Sequence, residues 1–347
     1  MLRRGGLAGA FLILAALPSP AADQTSSSVE LRGGGSTFAA PLIEAWIGAR
    51  MIAAPNVIVH YSPVGSSEGI RSFLAGRLEF AVSDRPLSAE EAKPANEGLA
   101  TLPITAGMVV VAYNLPDITA PLRLGRETLA GIFSGAIREW DNPKIRADNP
   151  GVVLPDRTIT LVTRREGSGT TYAFTGYLAA VDPSWIRTGP GVGDVVVWPQ
   201  NAMEVPGNEG VAARIALSEY SIGYMEFGFA RRLDLKTAQL QNRDGAFVSA
   251  NATSGAAALS RAGDGAMPAV GKDSALDPAG SESYPIVTFS WLVMHERDRS
   301  PETQAALRDF VSFGLSPQGQ AKGAEIGYIP LPTAALAKAT MAVRDTQ

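Results

Sequence analysis

The chain has 347 residues and carries 30 Lys and Arg against 34 Asp and Glu, a formal charge of −4, with no cysteine and only two histidines. The lack of cysteine excludes disulfides, thiolate chemistry and a lipid carried on a cysteine. An acidic chain without a basic run argues against nucleic acid or an anionic membrane surface as partner, so an anionic ligand has to be attracted by local dipoles and one or two arginines.

Residues 1–22 read as a secretory signal peptide. Arg3 and Arg4 precede the 11-residue apolar run Leu7 to Leu17, and Pro18-Ser19-Pro20-Ala21-Ala22 supplies a small-residue cleavage site. That run is too short to span a bilayer, and no later stretch is long and apolar enough to do so. An exported, unanchored chain with a bacterial-style signal is expected in the periplasm. Cleavage would leave 28 basic against 34 acidic residues, a charge of −6. The remaining ~325 residues exceed what one core usually covers, so two lobes are expected.

Residues 23–30 are polar and read as a mobile lead-in. Leu31 to Phe38 reads as a glycine-rich turn, Gly33-Gly34-Gly35-Ser36-Thr37-Phe38, opening a helix whose apolar face is Leu42, Ile43, Trp46 and Ile47. Val57 to Tyr61 is a strand, and Pro63 to Gly69 leads from it into helical spacing at Ile70-Arg71-Ser72-Phe73-Leu74. Leu78 to Val82 is a strand that ends in Ser83-Asp84-Arg85-Pro86-Leu87. Met108 to Tyr113 is a continuous apolar run, as a buried parallel strand shows.

Pro116 to Pro121 marks a change of lobe, and Glu127 to Phe133 is a helix closed by Trp140-Asp141-Asn142-Pro143. The strand Thr158 to Val162 then runs into Thr163-Arg164-Arg165-Glu166-Gly167-Ser168-Gly169-Thr170-Thr171, with helical spacing resuming from Tyr172 to Leu178. Asn208 to Leu217 and Ile222-Gly223-Tyr224 give one more helix and strand. Residues 249–283 are rich in Ala, Gly and Ser, part small-residue helix and part surface loop. Pro285 to Met294 is the last long strand and Thr303 to Phe313 a helix, both expected to return to the first lobe. There is no internal repeat of fixed period. Strands and helices alternating this regularly predict α/β architecture, in which ligands sit at the carboxyl ends of strands.

Three of these loops share one chemistry. The first N–H groups of a helix have no partner within it and the dipole there is positive. Small residues let that backbone wrap around an oxyanion, hydroxyls add donors, and arginine offers a planar fork. For any one loop, a capped helix with a surface arginine is the competing reading. Taken together they form an anion cage, with hydroxyls from Thr37, Ser66, Ser168 and Thr170, N–H groups at Phe38 and Gly169, and charge from Arg164. Asp84 would repel an anion unless the ligand carries a proton. Phosphate near neutral pH keeps an O–H and sulfate does not, and a site built for a hydrogen bond can reject the analogue lacking it by about 10⁴. Alternatively, Asp84 simply caps a local turn.

Two enzyme readings compete. Gly65-Ser66-Ser67-Glu68-Gly69 matches G-x-S-x-G, with Ser67 as nucleophile and His295 as base in the chain order of a secreted serine hydrolase. Against it, such an elbow normally follows several strands, and roughly one precedes it here. His60 and His295 stand alone without HxH or HExxH spacing, so no metal and no other cofactor is expected.

The segments Gly35-Ser36-Thr37-Phe38, Gly65-Ser66-Ser67, Ser83-Asp84-Arg85-Pro86-Leu87, Ile132-Phe133-Ser134-Gly135 with Trp140, Arg164 to Thr171, and Ile222-Gly223-Tyr224 fall in the order found in one family. From Gly33 to about Pro332 the chain resembles the periplasmic phosphate-binding proteins of high-affinity phosphate ABC importers. The resemblance implies a two-lobed class II periplasmic-binding-protein fold, each lobe a mixed sheet flanked by helices, joined by a two-strand hinge. The lobes would comprise 29–113 plus 284–347, and 114–283. It further implies a monomer that does no chemistry on its ligand, holds inorganic phosphate with Thr37, Phe38, Ser66, Asp84, Arg164, Ser168, Gly169 and Thr170, closes around it and delivers it to a membrane permease. Binding another tetrahedral oxyanion such as sulfate stays as an alternative. Glu166 stands where the family often has Asp, and Glu68 where it commonly has a small residue.

Overall fold

The computed structural model describes residues 28–93, 98–261, 276–297 and 300–346; the expected signal peptide, 1–22, lies outside them. The first part of the chain forms β1 (Val29–Gly35), α1 (Ala40–Ala53), β2 (Val57–Ser62), α2 (Ser66–Leu74), β3 (Phe80–Ser83) and the 15-residue β4 (Leu99–Tyr113). The middle part holds β5 (Arg123–Leu124), α3 (Arg126–Phe133), α4 (Pro143–Asp148), β6 (Thr160–Arg164), α5 (Gly169–Val181), α6 (Ser184–Arg187), β7 (Met203–Val205) and α7 (Gly207–Leu217). It continues with β8 (Ser221–Glu226), α8 (Phe227–Arg232), β9 (Lys236–Thr237), β10 (Gln239–Gln241), β11 (Phe247–Val248) and the small-residue helix α9 (Ala252–Arg261). β12 (Val287–His295), α10 (Pro301–Leu315), α11 (Pro317–Ile326) and α12 (Thr333–Asp345) complete it.

A mixed sheet organises these elements in the order β2-β1-β3-β12-β4-β8-β6-β7, with β9 also paired to β4. β4 is the strand common to both halves. β12 pairs with it antiparallel from Leu99 to Met108, and β8 pairs with it antiparallel from Val109 to Tyr113. β1, β2 and β3 run parallel to one another, as do β6, β7 and β8. Two mixed half-sheets flanked by helices therefore share one long strand. The return segment before β12 meets β4 at the same level, where the Val109 N–H donates to the Ile286 carbonyl at 3.0 Å.

The triple glycine departs from its expected role. Gly33, Gly34 and Gly35 end β1 instead of forming the turn, and only residues 36–39 connect to α1. Tight packing forces glycine there, since a Cβ at Gly33 would lie 2.0 Å from the Phe80 ring and one at Gly35, where φ is +128°, 2.2 Å from the Val82 carbonyl. Val29 and Glu30, read from sequence as part of a mobile lead-in, already pair with β2. β6 begins two residues later than Thr158 and runs on through Arg164, which it presents at its carboxyl end.

Each half has an aromatic core. Trp46 and Phe80 pack on Phe310 in the first. In the second, Phe174 stacks on Tyr224 with centroids 4.4 Å apart, and Phe133 meets both edge-on. This second cluster also orients the site, because the Tyr224 and Thr171 hydroxyls lie 2.6 Å apart on the first turn of α5. Among the described residues no helix is long and apolar enough to cross a membrane, and no group of His, Cys, Asp or Glu could hold a metal ion.

Candidate functional site

The N-terminal ends of α1, α2, α5 and α7 meet between the two half-sheets. The residue before α1, α2 or α7 supplies no side-chain cap. At α7 other elements take the first N–H groups, Gly207 donating to Glu166 at 3.1 Å and Asn208 to the Thr37 hydroxyl at 3.3 Å. α5 is capped by Ser168, whose hydroxyl accepts from the Thr171 N–H at 3.1 Å. Gly65 at φ +94° turns the chain into α2 and Gly207 at φ +70° opens α7, conformations that cost glycine nothing.

Arg164 stands at the centre and is buried. It donates to the Thr37 hydroxyl at 2.8 Å from one arm and to the Thr170 hydroxyl at 3.3 Å from the other. Glu166 fixes it from behind, its Oε1 accepting from Arg164 Nε at 2.9 Å, from Nη2, and from the Gly207 N–H at 3.1 Å. The longer acid, standing where the family often has Asp, therefore holds Arg164 in place. Arg165 is exposed, its guanidinium donating to the Glu204 carbonyl at 3.3 Å and its backbone N–H to the Val205 carbonyl at 3.1 Å. Ser66 joins the halves a second time, its hydroxyl accepting from the Gly169 N–H at 3.2 Å and from the Asp84 N–H at 3.3 Å. On either side of Thr37, the Tyr61 and Tyr328 hydroxyls hold the carbonyls of Ser36 (2.8 Å) and Phe38 (2.5 Å), fixing the backbone there.

Asp84 follows β3 and is 4 % exposed. The Ser36 hydroxyl donates to both its oxygens at 2.7 Å and the Ser290 hydroxyl to Oδ1 at 2.6 Å. Burial pushes its carboxyl up to about 6, while the Ser290 and Ser36 donors, then Arg164 and Ser66, pull the other way. Buried and hydrogen-bonded, it ionises near neutrality and then serves as an acceptor among donors.

All eight residues singled out from sequence thus come together: Thr37, Phe38, Ser66, Asp84, Arg164, Ser168, Gly169 and Thr170. Three others went unnoticed. Asn208, fully buried at the start of α7, donates from Nδ2 to the Thr37 hydroxyl at 2.9 Å and to the Thr170 hydroxyl at 3.3 Å. Its Oδ1 accepts from the Glu226 N–H at 3.0 Å. The sequence held a hint, since Gly207-Asn208-Glu209-Gly210 is a fourth glycine-and-polar opening of a helix. Ser36 and Ser290 are the other two. Ser290 is a hydroxyl inside the largely apolar β12, placed where that strand's register shifts against β4.

The hydrolase constellation does not assemble. The Ser67 hydroxyl donates to Asp194 and accepts from Arg85 at 3.2 and 3.3 Å, whereas the His295 ring lies on Phe73 with centroids 4.8 Å apart. Glu68 turns along α2 and pairs with Arg71 at 2.5 Å.

A family model described as a PBP superfamily domain matches residues 19–318. The phosphate-binding protein PstS of Pasteurella multocida is 36% identical over 316 residues, covering 90% of each chain. PstS of Xylella fastidiosa strain 9a5c is 36% identical over 317 residues, covering 90% of this chain and 84% of that one. Among solved structures, a high affinity periplasmic phosphate-binding protein bound with phosphate superposes with a TM-score of 0.73 at 24% identity, over 89% of this chain and 92% of the other. A phosphate-binding protein from Stenotrophomonas maltophilia superposes at 0.70 with 19% identity, over 90% and 94%. The superpositions show the two-lobed fold, and the sequence identities carry the assignment further: the chain belongs to the PBP superfamily and, within it, to the family of PstS phosphate-binding proteins.

Proposed function

We propose that this protein is a periplasmic receptor that captures inorganic phosphate between two lobes, 29–113 plus 284–347 and 114–283, and delivers it to an ABC permease. Thr37, Phe38, Ser66, Asp84, Arg164, Ser168, Gly169 and Thr170 hold the ligand, and Asn208 joins them. Residues 1–22 are removed on export, and the mature chain acts as a monomer, without nucleic acid and without chemistry on the ligand. The names of its relatives support the ligand class.

The observation that carries the reading is Asp84, a buried acceptor inside a cage of donors. Ser36 and Ser290 occupy part of its acceptor capacity, and a carboxylate has about four lone-pair sites. A phosphate O–H is matched to a remaining one. Sulfate would meet the same carboxylate with no proton between them. Hydroxyls, helix N-termini and Arg164 supply the opposite polarity for the other ligand oxygens. Thr37, Ser66 and Asp84 belong to one half and Arg164 to Thr170 to the other, so ligand contacts with both favour the closed arrangement.

Isothermal calorimetry with phosphate, sulfate and a carboxylate such as citrate tests this. Phosphate should bind at least about 10³ times more tightly than either competitor. Equal affinity for sulfate, or no heat with phosphate, would refute the assignment.

A further inference from the structure

Beside the candidate site a second set of contacts crosses between the halves. Arg85, 8 % exposed, is held on the first half by Glu91, whose two oxygens each accept a guanidinium N–H at 2.8 Å, and by the Pro86 carbonyl at 2.9 Å. Its Nε lies 3.0 Å from Oδ2 of Asp194, which comes from the other half, in the segment between α6 and β7. The same Asp194 oxygen accepts from the Ser67 hydroxyl. Glu91 stays ionised to well below neutral pH, since Arg85 holds its carboxyl down at about 2, so the guanidinium remains clamped in place.

Asp194 is tied to the ligand loop as well. Its backbone carbonyl accepts from the Ser168 N–H at 2.9 Å, next to Gly169 and Thr170. The facing backbones approach closely: the Ser67 N–H donates to the Gly167 carbonyl at 3.3 Å. A Cβ at Gly167 would stand 2.6 Å from the Ser67 side chain, and one at Gly65 2.7 Å from Glu166. Glycine at 65 and 167 is what lets Asp194 reach Arg85.

We infer that Asp194 and Arg85, with Ser67, form a latch across the mouth of the cleft that sets how long the closed, phosphate-loaded state lasts. The inference rests on the phosphate reading above. Neither Asp194 nor Arg85 needs to touch the ligand; both are positioning residues. When the halves part, Arg85 keeps Glu91 while Asp194 loses Arg85 and Ser67 and returns to water. The contact therefore opposes opening and contributes nothing to the open form. The Asp194 side chain is 30 % exposed, so salt weakens the pair in part.

The test is dissociation of radiolabelled phosphate into excess unlabelled phosphate, for wild type, Asp194→Asn and Asp194→Ala, at low and high salt. Both variants should release phosphate about tenfold faster at low salt, with little change in association rate, and the gap should narrow at high salt. Thermal unfolding separates the latch from a merely structural role: without phosphate the variants should melt with wild type, and with phosphate they should melt lower. Release within twofold of wild type, or an equal fall in melting with and without phosphate, overturns the latch. A wild type that binds no phosphate overturns the underlying reading and the latch with it.

Discussion

Arg164 and Thr37 stand 127 residues apart in the chain, yet an arginine N–H donates to the threonine hydroxyl at 2.8 Å. The bond joins the carboxyl end of β6 to the turn before α1 and so bridges the two half-sheets. Arg165, the next residue, points to the surface and the Glu204 carbonyl. Arg164→Ala should therefore raise the phosphate Kd by about 10²-fold or more, because it strips a buried charge from between Thr37, Thr170 and Glu166. Arg165→Ala should change it by less than about threefold. Calorimetry on both variants checks the ranking, and the reverse order would shift the motif by one residue.

Asp84→Asn exchanges an acceptor for a group that also donates. Ser36 and Ser290 both reach Oδ1, whose two lone pairs can still accept from both, while the new NH2 group places donors where Oδ2 accepted. Phosphate should bind more weakly and its preference over sulfate should shrink by about 100-fold or more. Competition between the two anions in one titration measures this directly, and unchanged selectivity would remove Asp84 from the role assigned to it.

Two buried carboxyls predict how stability varies with pH. Burial raises Asp84 from 3.8 to about 6 and, at the hinge end of β8, raises Glu226 from 4.5 to about 8. Each binds its proton more tightly folded than unfolded. Its contribution to stability is therefore full below its unfolded value and is lost as pH rises, through about 6 for Asp84 and about 8 for Glu226. Glu226→Gln keeps the cap on the Gly228 N–H, which Oε1 accepts at 2.8 Å, without the buried charge. Ligand-free Glu226→Gln should match wild type at about pH 4 and exceed it at pH 8.5 by on the order of 4 kcal/mol. Thermal melts across that range provide the comparison.

Asn208 links the site to Glu226. Asn208→Ala removes the donor shared by Thr37 and Thr170 and leaves the Glu226 N–H buried without its partner. A loss of about 1–3 kcal/mol in urea unfolding should accompany weaker phosphate binding. Asn208→Asp should keep most of the fold, since its carboxylate still accepts from that N–H, yet raise the phosphate Kd about 100-fold by placing negative charge beside the ligand.

Gly33→Ala should destabilise the first half without touching the site. Phe80 cannot step aside, being packed on Tyr61 and Phe310, so the new methyl meets its ring. Overpacking of this kind costs about 1–3 kcal/mol. Urea unfolding should show the loss, while the phosphate Kd measured well below the midpoint should stay near that of wild type.

The sequence by itself determined the α/β alternation, most of the extended segments and the glycine–hydroxyl turns that open α2 and α5. These are local matters: apolar period, glycine conformation and cap chemistry act within one or two helical turns. It also pointed to Asp84 as the odd acceptor, while the resemblance to the family singled out Arg164. Only the tertiary structure decided that Gly33 to Gly35 lie in a strand, because the reason is a Phe80 ring 47 positions downstream of Gly33 in the chain. The same holds for Asn208, Ser290 and the meeting of Asp194 with Arg85. A hydrogen-bond partner contributed by another element leaves no periodic trace in either segment, so it appears only once the half-sheets have packed against each other.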